Sequence, residues 1–134
     1  MEGAAKLRTG SVLVVDDDPT NRLFANDVLT AAGYTVFLAS NPEQCMQRLV
    51  LVEPSIILLD VNLGYMSGYE LCARIKTAYL DLRSIIMFVT VNRTLEDVMY
   101  SKQVGGDYFM VKPYTAEELL TNIRKAIVAR QRKR

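Results

Sequence analysis

Four short apolar runs in this chain each end in residues that can bind a metal ion or a phosphate. The runs lead into Asp16-Asp17, Asp60, Thr90 and Lys112. Short apolar runs separated by helical patterns are typical of parallel strands that are buried on both faces. Because the carboxyl ends of such strands meet at one edge of the sheet, we expect three carboxylates, a hydroxyl and an ammonium group to lie together there.

Three carboxylates at one sheet edge repel one another, by roughly 3 kcal/mol for two unit charges ~5 Å apart at an effective dielectric near 20. A hard cation held by oxygen ligands would relieve this repulsion, and Mg²⁺ suits phosphate chemistry best, with Mn²⁺ as an alternative. A carboxylate beside such a cation can attack phosphorus and form an acyl phosphate. Lys112, the Thr90 hydroxyl and backbone N–H groups would then neutralise the phosphoryl oxygens.

Each of these residues also has an ordinary explanation when it is taken alone. Asp16 and Asp17 could cap a helix or be solvated, Asp60 could belong to a turn, and Thr90 or Lys112 alone would carry little meaning. Four strands that all end in this way are hard to reconcile with chance. We therefore interpret the set as one functional site.

The composition excludes several other kinds of site. The chain has 134 residues and no histidine, which excludes a Ser-His-Asp triad, an imidazole zinc site and a phosphohistidine on this chain. No apolar run is long enough to cross a membrane, and no secretory leader opens the sequence. Cys45 and Cys72 lack metal-ligand spacing and are expected to be buried free thiols. We therefore expect a cytoplasmic protein that does not bind membranes.

The charge is distributed unevenly along the chain. Residues 11–120 contain fourteen acidic and eight basic residues, whereas residues 121–134 contain six basic residues and no acidic ones. A basic run at a helix end is typical of a solvated face or of a favourable position in the helix dipole. Since neither an aromatic platform nor a recognition motif accompanies it, we expect no direct binding of nucleic acid.

Helix-start signals divide the chain into five strand and helix pairs. The starts are Asp18-Pro19, Asn41-Pro42, Thr94 and two capping boxes, Ser67 to Glu70 and Thr115 to Glu118. Later strands are expected at 35–38, 55–60, 85–90 and 107–111. This alternation predicts a doubly wound α/β fold, a flavodoxin-like (βα)5 three-layer sandwich whose parallel sheet has the order 2-1-3-4-5.

The same pattern gives the boundaries and the helix faces. We expect a flexible leader at 1–10, the folded domain at 11–128, and a basic tail or the start of a linker at 129–134. The first helix is expected to bury Leu23, Phe24, Val28 and Leu29, and the last helix Leu120, Ile123 and Ile127.

Ordered and spaced in this way, the residues resemble the receiver domain of two-component response regulators over about residues 11–128. The intervals fit, with 43 residues from Asp17 to Asp60, 30 more to Thr90 and 22 more to Lys112. The motifs that carry the resemblance are Val14-Val15-Asp16-Asp17-Asp18, Leu59-Asp60-Val61-Asn62-Leu63, Met66-Ser67-Gly68, Val89-Thr90, and Gly105-Gly106-Asp107 running to Lys112-Pro113.

The resemblance implies a role for each site residue. Asp60 would be the phosphoacceptor and a Mg²⁺ ligand, Asp17 a direct ligand, Asp16 a ligand mainly through water, and Asn62 a ligand through its backbone carbonyl. Lys112 would contact the phosphoryl group, and the bond from Lys112 to Pro113 would be cis. Thr90 would be catalytic together with Asp60 and Lys112. It would also form a switch pair with Phe109. Movement of this pair would repack the face formed by the fourth helix, fifth strand and fifth helix.

The resemblance also implies partners. The phosphoryl donor would be a histidine kinase or a histidine phosphotransfer protein. A homodimer through the fourth-helix and fifth-helix face is a further hypothesis. The domain would act as a switch with slow autodephosphorylation and not as a conventional enzyme.

The chain departs from the family pattern at several positions, one of which bears on rates. Gly64 stands where proline is common, and Phe109 replaces a frequent tyrosine. Val91 follows Thr90 where a small residue is usual, so it could narrow access to Asp60. The rates of phosphorylation and dephosphorylation are expected to depend on Asn62, Val91 and Asn92.

Three other functions fit the sequence less well than a receiver domain does. An aspartate-nucleophile phosphatase needs a second acid two residues after the nucleophile, where this chain has Asn62. A flavodoxin-like cofactor carrier would need a hydroxyl- and glycine-rich phosphate loop where three aspartates stand instead. A receiver-like docking module that is no longer phosphorylated is disfavoured by the presence of Asp17, Asp60, Thr90 and Lys112.

Overall fold

Five parallel strands form one sheet in the order β2-β1-β3-β4-β5, as predicted. The structure is a computed structural model that describes residues 10–91 and 94–132. Its strands are β1 (Ser11–Val15), β2 (Thr35–Ala39), β3 (Ile56–Asp60), β4 (Ile85–Thr90) and β5 (Tyr108–Val111). Parallel pairing places β3 at the centre between β1 and β4, and all three strands are apolar because helices cover each face of the sheet.

Five helices connect and follow the strands: α1 (Pro19–Ala31), α2 (Pro42–Leu51), α3 (Gly68–Ala78), α4 (Leu95–Gln103) and α5 (Ala116–Arg132). Each begins at a predicted start signal. Asp18, Asn41 and Thr94 accept hydrogen bonds from backbone N–H groups in the first turns of their helices. Ser67 with Glu70, and Thr115 with Glu118, form the two reciprocal capping boxes.

The sheet separates two apolar clusters. One contains side chains of α2 and α3, among them Cys45, Tyr69 and Cys72, with Phe109 packed against it. The other contains side chains of α1 and α5, among them Leu29 and Ile123. Both cysteines are buried free thiols, as expected.

Two predicted helix faces are partly wrong. In α1 the buried residues are Ala25 and Leu29, whereas Leu23 and Phe24 are exposed. Leu23 lies two residues from Ala25, which is about 200° around a helix and so on the opposite side. In α5 the buried stripe is Leu119, Ile123 and Ala126, and Leu120 and Ile127 only flank it.

The strand bounds differ from the predictions by one residue. Strand β3 begins at Ile56 and β5 at Tyr108, each one residue later than expected, while β2 extends to Ala39. Just before β5, the Asp107 N–H donates to the Ile86 carbonyl and the Asp107 carboxylate accepts from the Ile86 N–H.

The predicted boundaries are placed as follows. The proposed leader at 1–10 lies outside the described residues apart from Gly10. The proposed boundary after residue 128 falls inside α5, which continues to Arg132. Within the described ranges, every helix is too short or too polar to cross a bilayer.

Candidate functional site

The four predicted polar strand ends lie at one edge of the sheet. Val15 pairs with Leu59, Asp60 with Val89, and Thr90 with Val111. Asp16 and Asp60 therefore lie level with each other, Thr90 lies one residue further along the strand direction, and Lys112, which follows Val111, lies two residues further. Asp16, Asp60 and Thr90 are buried there, and Asp17 is exposed.

Lys112 joins the two buried carboxylates. Its Nζ atom lies 3.0 Å from Asp16 Oδ2 and 3.2 Å from Asp60 Oδ2. Buried carboxylates this close to each other are tolerated because one ammonium group donates to both. The convergence expected from the sequence is present.

Asp17 completes an acidic cluster that fits a divalent cation. One oxygen each from Asp16, Asp17 and Asp60 lie within 4.8 Å of one another. With the Lys112 ammonium, three carboxylates leave a formal charge of −2. Oxygen donors, a compensating charge and an exposed side for water are what a Mg²⁺ site requires.

Backbone groups hold the two buried carboxylates in place. The Asp18 N–H donates to Asp16 Oδ1 at 2.9 Å, and the Asn62 N–H donates to Asp60 Oδ1 at 3.1 Å. Each carboxylate thus has one oxygen bonded to the backbone and the other to Lys112, which fixes its orientation.

One residue of the site was not anticipated from the sequence. The Arg22 guanidinium donates to the backbone carbonyl of Asp16 at 2.8 Å. Arg22 lies in the first turn of α1, where an arginine usually indicates only an exposed helix position, so no sequence signal identified it.

Burial dominates the electrostatics of Asp60. Burial, followed by the charge of Asp16, raises the pKa of Asp60 from 3.8 to about 6, against the opposing effects of the Asn62 N–H and Lys112. Burial alone would lower the pKa of Lys112, but the hydrogen bonds and charges of Asp16 and Asp60 outweigh it and hold that pKa above its ordinary value. Burial and the nearby charge of Asp16 therefore disfavour the ionised form of Asp60, and the Lys112 ammonium partly offsets both effects.

The loop after Asp60 folds back onto β3. The Gly68 N–H donates to the Val61 carbonyl, and Asn62 pairs with Ser67 in an antiparallel bridge. A Cβ atom at position 68 would lie 2.3 Å from the Asp60 carbonyl oxygen. Only glycine permits this approach, so α3 starts directly against the strand end that carries Asp60.

The structure gives a place to most of the remaining predicted residues. Phe109 is half-buried and lies opposite Phe88 in the β4–β5 register. Val91 is exposed and lines a groove of about 280 Å³ with Lys112; the other lining residues are Asn21, Phe24, Pro113 and Tyr114. The bond between Lys112 and Pro113 is cis. Asn92 lies outside the described residues.

Comparison with known proteins identifies the family. The sequence model of the response regulator receiver domain matches residues 12–124. The chain belongs to the response regulator receiver domain family. Receiver domains are signalling switches of two-component systems that accept a phosphoryl group on an aspartate, interact with histidine kinases or phosphotransfer proteins, and normally bind Mg²⁺ in an acidic pocket.

Curated relatives of this receiver domain differ in length. It is 31% identical over 114 residues to sporulation initiation phosphotransferase F of Bacillus subtilis, covering 85% of this chain and 90% of that protein. It is 32% identical over 120 residues to the phosphate regulon transcriptional regulatory protein PhoB of Pseudomonas aeruginosa, covering 90% of this chain and 52% of that one. The receiver domain therefore spans nearly all of one relative and about half of others.

Solved structures share the fold. The receiver domain matches chemotaxis protein CheY4 of Vibrio cholerae with a TM-score of 0.82 and 27% identity, over 87% of this chain and 97% of that one. A CheY-like receiver domain protein of Methanospirillum hungatei matches with a TM-score of 0.84 and 24% identity, over 92% and 98% of the two chains.

Proposed function

We propose that this receiver domain is a phosphorylation-controlled switch in which Asp60 accepts a phosphoryl group in a Mg²⁺-dependent reaction. The observation that carries the proposal is the buried Asp60 carboxylate at the end of β3, 3.2 Å from the Lys112 ammonium and within an acidic cluster. The donor is a histidine kinase or a histidine phosphotransfer protein. The name of the Bacillus subtilis relative, a phosphotransferase, supports a place in phosphoryl transfer.

The acidic cluster would hold the cation. Asp17 and Asp60 would hold Mg²⁺ directly, Asp16 mainly through water, and Asn62 through its backbone carbonyl. A bound ion would supply positive charge that offsets the phosphoryl oxygens and the clustered carboxylates.

Phosphoryl transfer forms one bond and breaks another. An Asp60 oxygen attacks phosphorus in line with the P–N bond of the donor's phosphohistidine, and the electron pair of that bond leaves with the imidazole nitrogen. Asp60 must be ionised to attack, which the Lys112 ammonium favours. Lys112 then bonds to a phosphoryl oxygen, and the Thr90 hydroxyl at the end of β4 bonds to another.

Movement of Thr90 links the site to a surface. When the Thr90 hydroxyl turns toward the phosphoryl group, it vacates space into which the half-buried ring of Phe109 rotates. The face of α4, β5 and α5 then repacks, and phosphate supplies the contacts that favour the second packing.

Loss of the phosphoryl group is slow and is set by residues around the site. Asn62, Val91 and Asn92 are the residues to which we assign control of this rate. The exposed Val91 side chain beside Lys112 supports a role in limiting access to Asp60.

The proposal extends to assembly, location and boundaries. Leu95 and Met99 expose large apolar surfaces on α4, which supports a homodimer through the α4–α5 face. Two free buried thiols support a reducing cytoplasm. We divide the chain into a leader at 1–10, the receiver domain at 11–128 and a basic tail or linker start at 129–134.

The decisive experiment is intact-mass measurement after incubation with Mg²⁺ and acetyl phosphate or phosphoramidate. We expect a gain of one phosphoryl group that Asp60→Asn abolishes and EDTA prevents. Asp81→Asn, which removes an exposed acid outside the cluster, is the matched control and should label normally. Labelling that survives Asp60→Asn would refute the assignment.

A further inference from the structure

The Tyr69 hydroxyl is a buried polar group without a hydrogen-bond partner in the part of the chain that the structure describes. Only 6% of the residue is exposed. Buried hydroxyl groups are normally bonded, because a group removed from water without a partner raises the free energy of the packing that contains it. An orphan hydroxyl next to a signalling site therefore requires an explanation.

Tyr69 lies where three elements meet. Its ring packs edge-on against Phe88 of β4, with centroids 4.8 Å apart, and against Tyr100 of α4, with centroids 5.0 Å apart. Both geometries are favourable for aromatic pairs. The ring is well packed and only its hydroxyl lacks a partner.

The same residue is connected to the phosphoacceptor site from two sides. Gly68, its neighbour in the chain, approaches the Asp60 carbonyl so closely that no Cβ fits. Phe88 lies two residues before Thr90 on β4 and opposite Phe109 in the strand register. A change at Asp60 or Thr90 therefore reaches Tyr69 through direct neighbours.

An acceptor for the hydroxyl lies in the first turn of α4. Asp97 precedes Tyr100, whose ring packs against Tyr69, by three residues, so it lies about one turn away on the same side of α4. Burial, and then the charge of Asp97, raises the pKa of Tyr69 to about 12, and no hydrogen bond joins the two groups in the described structure. Asp97 instead accepts a hydrogen bond from the Thr94 hydroxyl at 2.8 Å through Oδ2. Thr94, the cap of α4, follows Thr90 by only four residues.

We propose that Tyr69 is a positioning residue that couples the phosphoacceptor site to α4: its hydroxyl lacks a partner in the inactive packing and donates to Asp97 once activation shifts the first turn of α4. The inference rests on the proposed function, since activation here means phosphorylation of Asp60 read through Thr90. The unmet hydrogen bond disfavours the inactive packing and its formation favours the active one, so the hydroxyl biases the switch toward response.

The test uses the full 134-residue chain with Tyr69→Phe, which removes only the hydroxyl. Without Mg²⁺ and beryllofluoride we expect the melting temperature to rise, because the orphan group is gone. With Mg²⁺ we expect the beryllofluoride concentration for half-saturation to rise about tenfold, as the active packing loses one hydrogen bond to a charged group. Tyr34→Phe, in the other apolar cluster, should leave this concentration unchanged.

A double-mutant cycle with Asp97→Ala identifies the acceptor. Each single variant should weaken beryllofluoride binding, and the double variant should bind about as well as either one, because both remove the same bond. Additive losses would overturn the assignment of Asp97.

Two further results would overturn the inference. A lower melting temperature for Tyr69→Phe would mean that the hydroxyl is already bonded in the inactive packing. An unchanged beryllofluoride affinity, in a protein that intact mass shows to be phosphorylated on Asp60, would refute the coupling alone. If the wild-type chain takes up no phosphoryl group, the proposed function fails and the coupling with it.

Discussion

The Lys112 ammonium contacts the Asp60 carboxylate at 3.2 Å although the strands that carry them, β5 and β3, are separated in the sheet by β4. The contact exists because Asp60 pairs with Val89 and Thr90 pairs with Val111, so β4 and β5 end together, one residue beyond the end of β3. Lys112 then reaches across the end of β4 to both buried carboxylates. The pairing gives Lys112 a structural role in addition to its proposed contact with the phosphoryl group.

Replacing Lys112 by methionine should destabilise the metal-free protein. The substitution leaves Asp16 and Asp60 buried without their shared cation, and we expect the free energy of unfolding at pH 7.5 to fall by about 2 kcal/mol. Urea unfolding in EDTA measures this difference. Lys125→Met removes an exposed positive charge of α5 and is the control, with little expected change. If both substitutions lowered the free energy of unfolding equally, the contacts of Lys112 with Asp16 and Asp60 would contribute no more to stability than an exposed lysine does.

Replacing Asp60 by asparagine should stabilise the metal-free protein in a pH-dependent manner. The pKa of Asp60 in the folded protein is about 6, above its ordinary value of 3.8, so the folded state binds this proton more tightly than the unfolded state. The stabilising contribution of Asp60 is thus complete below pH ~4 and is lost as the pH rises through about 6. Because asparagine does not ionise, the Asp60→Asn protein does not lose this stability as the pH rises. After a discount for solvent screening, we expect a gain of about 1–2 kcal/mol at pH 7.5.

Urea unfolding of both proteins in EDTA from pH 4 to 8 tests this. The stability difference between Asp60→Asn and wild type should close as the pH falls toward 4. A difference that stays constant over this range would contradict a raised pKa at Asp60. Asp81→Asn, at an exposed position, should show no comparable pH dependence.

Mg²⁺ should stabilise the wild-type chain, and Asp17→Asn should remove the effect. A ligand at ten times its dissociation constant adds about 1.4 kcal/mol to the free energy of unfolding, which corresponds to a shift of a few degrees in melting temperature. Asp17 is exposed, so its loss should not destabilise the protein in EDTA. Thermal unfolding with and without Mg²⁺ measures both effects.

The control for this experiment is Asp27→Asn, an exposed acid in the body of α1. It should retain the full response to Mg²⁺. If Asp17→Asn responds as strongly as wild type does, the ion binds without Asp17 and the assigned ligand set is wrong.

Shortening Val91 should open the approach to Asp60. Val91 is 70% exposed and lines the groove beside Lys112. We expect Val91→Ala to speed phosphorylation by acetyl phosphate and loss of the phosphoryl group by about threefold to tenfold, or about 1 kcal/mol of barrier. Time-resolved intact mass follows both rates. Leu95→Ala, which trims another exposed side chain beyond the groove, is the control, and unchanged rates for Val91→Ala would exclude this role.

The sequence was sufficient to predict the sheet order and the convergence of the polar strand ends, because both depend on local signals. Apolar runs of fixed length and five helix-start signals determine the alternation of strands and helices, and parallel strands place Asp16, Asp60 and Lys112 at one edge. The capping boxes at Ser67 and Thr115 could be predicted for the same reason, because each joins two residues that are three apart in the sequence.

Contacts between residues that are far apart in the sequence could not be predicted in this way. Nothing in the sequence showed that Arg22 bonds to the Asp16 carbonyl, or that the Tyr69 hydroxyl is buried without a partner among the described residues. The face of α1 was misjudged because Leu23 and Phe24 are apolar, whereas the small Ala25 meets the sheet. Hydrophobic type alone does not give the direction in which a helix faces.

The close approach of Gly68 to the Asp60 carbonyl has a consequence for how variants of this protein are interpreted. In a saturation-mutagenesis survey scored by signalling output, position 68 should reject every substitution as severely as position 60 does, although glycine takes no part in the chemistry. Ranking positions by intolerance would then count a steric requirement of the main chain as a reactive group. A parallel screen for protein abundance would separate the two, since position 68 should fail both assays and position 60 only the first.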